Sequence, residues 1–290
     1  MRIVVACLAL LMLAAPSFAQ PVPLDPPAGR VISGWSGFDA DEAFAPHAPS
    51  MLSFEVALDY TPVADFLKRY REFTSQRGFF IANVDAGFRG AEHDVSIGMR
   101  DPDLMVLADG LRDAGRPVLF SIGGEFNKSG AGYEASSYIG AFRHAVQVFR
   151  QDKVVNFAAV WVASASAASD THYLKWYPGD DVVDWWGLDV SDAKEFDSAV
   201  TKSLIDDATH HHKPVILTFA PNAKSEADAL KAYAACFAMV RSNSAIKALS
   251  LRKPQHHWPK VTAYLKQQLA DPRFIDVNEA PSIFRPKRPE

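Results

Sequence analysis

Glu125 is the first residue placed to do chemistry. It stands in 118-VLFSIGGEFNKSG-130, where an apolar run of strand type gives way to two glycines and then to a carboxylate, with Asn127 two positions on. A carboxyl group at the end of a buried strand, beside glycines that let the backbone come close, is placed to exchange a proton with a bound molecule. A capping or ion-paired carboxylate is the plainer reading, and the company Glu125 keeps decides between them. Other apolar runs are followed by Trp35 and Asp39, Asp59, Asp85, Trp161, Asp189 and Asp192, Phe219, and then Arg252, His256, His257 and Trp258. The set is rich in carboxylates and aromatics and poor in clusters of metal-ligand type. Sugars are polar at their edges and apolar on their faces, so such residues suit a polysaccharide or oligosaccharide partner. Cleaving a glycosidic bond asks for two carboxyl groups, about 5–5.5 Å apart for retention or 6.5–9.5 Å for inversion. Glu125 is the candidate acid, and Asp189 and Asp192 are candidates for the second carboxylate. His256, His257 and Trp258 are balanced between touching substrate and packing. No metal and no cofactor is expected.

These residues need a scaffold that brings strand ends together. Eight apolar runs read as strands: 30-RVISGW-35, 54-FEVALDY-60, 79-FFIANV-84, 117-PVLFSI-122, 157-FAAVWV-162, 183-VDWWGLDV-190, 214-PVILTF-219 and 245-AIKALSL-251. Between them lie helix patterns at 62–76, 103–115, 136–152 and 226–242, several opening on Pro, Ser, Thr or Asp as helix starts do. Alternating strands and helices with near-continuous apolar strands imply a parallel sheet covered by helices. Eight such units imply an α/β fold, a single-domain (β/α)8 TIM barrel over residues 31–280, whose chemistry gathers at the carboxyl ends of the strands. An open doubly wound sheet is the rival, but no Gly-x-Gly-x-x-Gly follows a strand.

The first residues, MRIVVACLALLMLAAPSFAQ, carry one charge, an apolar run and small residues at Ser17 and Ala19, the layout of a signal peptide over 1–19. Hence a secreted or periplasmic protein is expected, with no membrane span after cleavage. The Pro-rich lead over 20–30 and the basic, Pro-containing tail over 281–290 read as solvated ends. Removing Cys7 with the leader leaves Cys236 alone, so no disulfide is expected. The net charge of −4, or −5 once Arg2 is removed, argues against nucleic acid as partner, and a monomer is expected. His210, His211 and His212 precede the seventh strand, on the face of a barrel opposite its chemistry, and read as a solvated run. Of Trp185 and Trp186, neighbours on one strand, one faces inward and the other outward. Asp39 and Asp41 read as an ordinary polar loop.

From about 117 to 190 the chain resembles glycoside hydrolase family 26, best known for β-mannanases. The resemblance rests on 125-EFN-127, 138-YIGAFR-143, Trp161 and 176-WYPGDDVVDWWGLD-189, in the family's order and spacing, followed by 213-KPVIL-217. It implies a retaining (β/α)8 glycosidase of endo-β-mannanase type with Glu125 as general acid/base. Asn127, Trp161 and the loop from Tyr177 to Asp181 would belong to the site or its support. Three departures stand out: Phe219 occupies the position of the family nucleophile, Gly124 that of a histidine, and Ser191 that of a tyrosine. Two functions therefore stay open: hydrolysis of a β-mannan or related β-glycan by a rewired site, and an inactive carbohydrate-binding relative, a pseudoenzyme.

Overall fold

The computed structural model describes residues 22–36, 48–58, 63–75, 79–88, 90–128, 130–166, 172–252 and 258–284. The leader over 1–19, the tail over 285–290, Asp39, Asp41, Asp59, His256 and His257 lie outside the described residues.

The eight expected strands form: β1 (Val31–Ser36), β2 (Met51–Ala57), β3 (Ile81–Gly87), β4 (Val118–Ile122), β5 (Phe157–Ser164), β6 (Trp185–Val190), β7 (Val215–Phe219) and β8 (Ile246–Arg252). Each pairs in parallel with the next, and β1 pairs with both β8 and β2, so the sheet closes into a (β/α)8 barrel. The helices α1 (Val63–Ser75), α2 (Glu92–Ser96), α3 (Asp101–Ala114), α4 (Ala135–Gln151), α5 (Ala199–His210), α6 (Glu226–Ser242), α7 (Pro259–Leu269) and α8 (Ala280–Phe284) complete the chain. Among the described residues, no helix is long and apolar enough to cross a membrane. A two-residue strand not expected from the sequence, β9 (Phe274–Ile275), pairs with the start of β1. It takes the part of the β1 edge that β2, paired from Gly34 onward, leaves open.

Side chains alternate across each strand, and this divides the core in two. Odd-numbered positions of β2 and β3 and their equivalents point into the bore. Ile32, Met51, Ile81, Leu119, Ala158, Trp185, Ile216 and Ala248 fill its lower half. The other parity packs against the helices. Trp185 is thus the inward member of its pair and Trp186 the outward one. The Pro-rich lead is not a solvated end throughout. Val22 and Leu24 pack against the inner cluster, and Trp185 Nε1 donates to the Pro23 carbonyl at 2.7 Å, so the lead and α8 close the bottom of the bore. An apolar floor open to water would be costly, which explains why this segment folds back.

The larger, outer core contains the aromatic cluster that supports the β4 loop. Phe126, the residue after Glu125, is 1% exposed and stacks on Trp161 at 4.8 Å with the rings inclined by 16°. Tyr138 of α4 and Trp176 flank it at 5.0 and 5.5 Å. Burying Phe126 outward turns its neighbour Glu125 inward. Truncating Trp161 to alanine is expected to cost about 3–5 kcal/mol, as for other fully buried aromatics, read from the shift in urea midpoint. A cost below about 1 kcal/mol would show that the cluster closes over the gap and that Phe126 does not depend on it.

Candidate active site

The upper half of the bore is polar. Above the apolar floor, the inward positions become Ser53 and Glu55 on β2, Asn83 and Asp85 on β3, Ser121 on β4, Asp189 on β6, Thr218 on β7 and Ser250 on β8. They line a cavity of about 1020 Å³ at the carboxyl ends of the strands. Asn83 Nδ2 donates to Ser53 Oγ at 2.9 Å, and Ser53 and Ser250 share a hydrogen bond of 2.9 Å. These short polar side chains satisfy one another and leave the space above them open. Lys128, Arg252 and Trp258 stand at its margin.

Glu125 reaches this cavity from a strained turn. Its φ is +57° and that of Gly123 is +61°; for a residue with a Cβ the left-handed region costs roughly 1–2 kcal/mol. At Gly123 a side chain would also stand 2.8 Å from the rings of Phe88 and Tyr138. The turn is held by Glu125 N–H donating to the Val162 carbonyl at 3.1 Å and Lys128 N–H donating to the Glu125 carbonyl at 2.9 Å. Asn127, 2% exposed, clamps it to the end of β5. Its Nδ2 donates to the Ser164 carbonyl at 3.0 Å and its Oδ1 accepts the Ser164 N–H at 2.8 Å. Lys128 Nζ lies 3.0 Å from both Glu125 carboxyl oxygens.

Asp189 faces the same cavity as Glu125. A carboxylate is harder to ionise beside another negative charge. Burial pushes the Asp189 carboxyl far above the ordinary range, and the hydrogen bond and charge of Glu125 and the charge of Asp85 add to this, with Lys128 opposing. Asp85 stands beside them, its side chain exposed to the cavity. Desolvation among the surrounding barrel walls lifts it to about 6; the Ser121 hydroxyl, 3.2 Å away, pulls the other way, while Glu55 and Glu125 add to the rise. Gly124 makes room for it, since a Cβ there would lie 3.2 Å from Asp85 Oδ1.

Several residues expected to touch substrate stand elsewhere. Asp192 is spent as a cap: its carboxylate accepts the Lys194 N–H at 2.9 Å, while Glu195 returns the contact to Ser191 and Asp192 N–H. Trp161 is fully buried on the outer face of β5. Asn127 acts on the Glu125 turn and does not line the cavity. Tyr177 lies before β6, at the other end of the barrel, with its hydroxyl donating to Asp180 at 2.6 Å and its ring 5.2 Å from His211. The signature loop around it is a brace: Arg143 holds the Pro178 carbonyl and the Asp181 carboxylate, and Lys213 Nζ donates to the Val183 carbonyl at 2.6 Å. His211 is held by Asp180 at 2.9 Å. Phe219 is fully buried and faces outward, 5.1 Å from Phe196 and 5.6 Å from Tyr233. Of the mouth residues beyond β8, Trp258 lines the cavity.

Glu55, Asn83, Ser121 and Thr218 were not among the residues expected at the site. The signal was in 51-MLSFEVA-57 and 81-IANVDAG-87, where every second residue turns from apolar to polar along the strand. A second strand taken to begin at Phe54 leaves Met51 and Ser53 out and hides that alternation.

The fold agrees with the comparisons to known proteins. Residues 90–248, more than half of the chain, match the model of glycosyl hydrolase family 26, and the chain belongs to that family. A β-1,3-xylanase from a Vibrio species is 27% identical over 136 residues, 46% of this chain and 30% of that protein, so the match spans less than a third of the relative. Among solved structures, a family 26 β-mannanase from Bacteroides ovatus superposes with a TM-score of 0.67 at 14% identity, covering 90% of this chain and 94% of that one. The family 26 protein GH26C from a Muricauda species also gives 0.67 at 14%, covering 88% and 89%. A Bacillus subtilis mannanase gives 0.63 at 16%, covering 87% and 88%. At such identities these structures speak for the fold alone.

Because the Asp85 carboxyl is raised by the folded state, its contribution to stability is fully present below about pH 4 and is lost as pH rises through about 6. Asp85→Asn keeps the shape and removes the charge. The variant is expected to be more stable than the parent at pH 7.5, by at most about 1 kcal/mol because solvent reaches and screens the exposed carboxyl, and level with it near pH 4. Equal thermal midpoints for the two proteins at both pH values would show that the cavity does not disfavour the Asp85 charge.

Proposed function

We propose that this protein is a secreted or periplasmic glycoside hydrolase that binds a β-linked glycan across the mouth of the barrel, with Glu125 as general acid and Asp189 as its carboxyl partner. The observation that carries this reading is the placing of Glu125 and Asp189 together in a large polar cavity at the carboxyl ends of the strands, with the Asp189 carboxyl raised by burial and by Glu125. A partly buried carboxyl pair retains a proton at a pH where ordinary carboxylates have lost theirs, and such a proton can be given to a leaving glycosidic oxygen. The β-mannanases and the β-1,3-xylanase among the relatives support a β-mannan or related β-glycan as substrate.

A second reading has its own support: a catalytically inactive glycan-binding relative. Phe219, at the position the family resemblance gives to the nucleophile, packs into the outer core, and a carboxylate there would face an apolar layer.

Assays with mannan, glucan and xylan oligosaccharides separate the two. Hydrolysis by the parent should fall by about 10²–10⁴-fold in Glu125→Gln; hydrolysis unchanged in that variant removes Glu125 from the chemistry. Binding by calorimetry with no hydrolysis in either protein favours the second reading. The alkaline limb of kcat/KM should follow ionisation of Asp189. With that carboxyl raised, activity is retained above the ordinary carboxylate range and falls as Asp189 loses its proton.

A further inference from the structure

The cavity has two electrostatic sides. Its carboxyl groups are Glu55 of β2, Asp85 of β3, Glu125 after β4, Asp189 of β6 and Asp65 of α1. From β7 round to β1 the lining includes Thr218, Asn222, Ser250 and Ser36, none of them charged, and a single cation, Arg252. No described carboxylate lines that side. In an eight-strand barrel closed in this order, β8 stands diametrically across from β4. Arg252 and Glu125 therefore come to the mouth from opposite walls.

The strand holds Arg252 where it can act. Ala248, Ser250 and Arg252 are successive inward positions of β8. Ser250 is bonded to Ser53 at 2.9 Å, which joins β8 to β2 across β1 and closes the polar floor at that level. Arg252, one strand-step higher, stands above this floor and is exposed. Its backbone is fixed, being paired in register with Ser36, while its carbonyl accepts the hydroxyl of the buried Tyr233 at 2.8 Å. Among the described residues its guanidinium has no hydrogen bond and no ion pair. The other cations of the lining are engaged, Lys128 by Glu125 and Arg69 by a partner of its own. A neutral glycan would give Arg252 no counter-charge; an anionic group on the glycan would.

We propose that the glycan bears a carboxylate, as a hexuronic acid residue does, and that Arg252 is the residue that selects it. This rests on the reading of the cavity as a glycan site and narrows the substrate class, whether or not the glycan is cleaved. A guanidinium offers two parallel N–H donors in one plane, and a carboxylate offers two oxygens to match them. A sugar lying across the mouth with its glycosidic oxygen toward Glu125 can turn its carboxylate toward β8. The reverse placement would set that carboxylate against Glu55, Asp85, Glu125 and Asp189, where like charges repel. The two-sided cavity thus fixes the direction of the glycan together with its class.

The test is calorimetric binding of β-linked hexuronic acid oligosaccharides and of the same oligosaccharides with each carboxyl reduced to the alcohol, which keeps linkage and length. Mannan, xylan and glucan oligosaccharides, plain and sulfated, complete the set. The parent should prefer the uronates to their reduced forms by about 10–100-fold, as for hydrogen bonds to a charged group, and the preference should shrink as salt screens the pair. In Arg252→Gln the preference should vanish. Arg252→Lys, which keeps the charge without the fork, should show an intermediate one. Because the preference is a ratio within one protein, a general loss of affinity does not imitate its loss. If Arg252→Gln fails to fold, the parent's preference and that of Arg252→Lys decide. Neutral oligosaccharides bound as tightly as uronates by the parent overturn the proposal and leave the glycan reading standing. A preference that survives Arg252→Gln does the same, as does tighter binding of the sulfated oligosaccharides than of the uronates. No binding of any of these removes both.

Discussion

The barrel holds two carboxyls, Glu125 and Asp189, in one cavity, where burial and the charge of Glu125 raise Asp189 well above the ordinary range, and much of the upper barrel serves to keep them there. Glu125 cannot swing away without undoing a left-handed turn pinned to β5 through Val162 and Asn127. Phe126, locked over Trp161, turns the turn's other face outward. Asp189 comes from a strand two places round the barrel and arrives by register alone. Lys128 Nζ pairs with both Glu125 oxygens at 3.0 Å; being half-exposed, it is worth little in solvent. Among the described residues, Asp189 has no ion pair of its own, and Lys128 only partly offsets the rise in its pKa.

The same geometry explains the division of labour within the motifs that carry the resemblance. The loop from Trp176 to Asp184 contains the most specific stretch of the resemblance, yet it lies before β6. Its carboxylates are taken by Arg143, His211, Lys213 and the Ala159 N–H. It sets where β6 begins. Because side chains alternate, the start of β6 decides which of its residues face the bore. Trp185, Gly187 and Asp189 then follow as floor, close contact with Val162 and carboxylate. A motif at the quiet end of the barrel therefore governs the site at the other end through strand register.

Much of this was legible in the chain. The eight strands were readable because buried parallel strands are near-continuous apolar runs, and Glu125 was readable because a carboxylate after such a run has few structural reasons to be there. The missed and misplaced residues share a cause. Trp161 and Tyr177 have the composition of a sugar platform, but the face of a strand and the end of a barrel on which a residue lies are set by register and crossover. Asp192 and Asp189 are three residues apart and alike in type. One caps a short helix and the other enters the bore, and only the exact end of β6 tells them apart.

By itself the sequence determined the strand count, the closed barrel those strands imply, the acidic residue at the end of β4 and the absence of a carboxylate at position 219. Local patterning is enough for these, since apolar runs, helix boundaries and residue identity need no partner. The tertiary structure decided which carboxyl meets Glu125 and the polar lining above an apolar floor. It also decided the close packing of Val162 on Gly187 and the sealing of the bore by the N-terminal lead. Each of these depends on residues brought together from distant strands by register and closure, and the chemistry of buried carboxyls depends on such neighbours more than on the residues themselves.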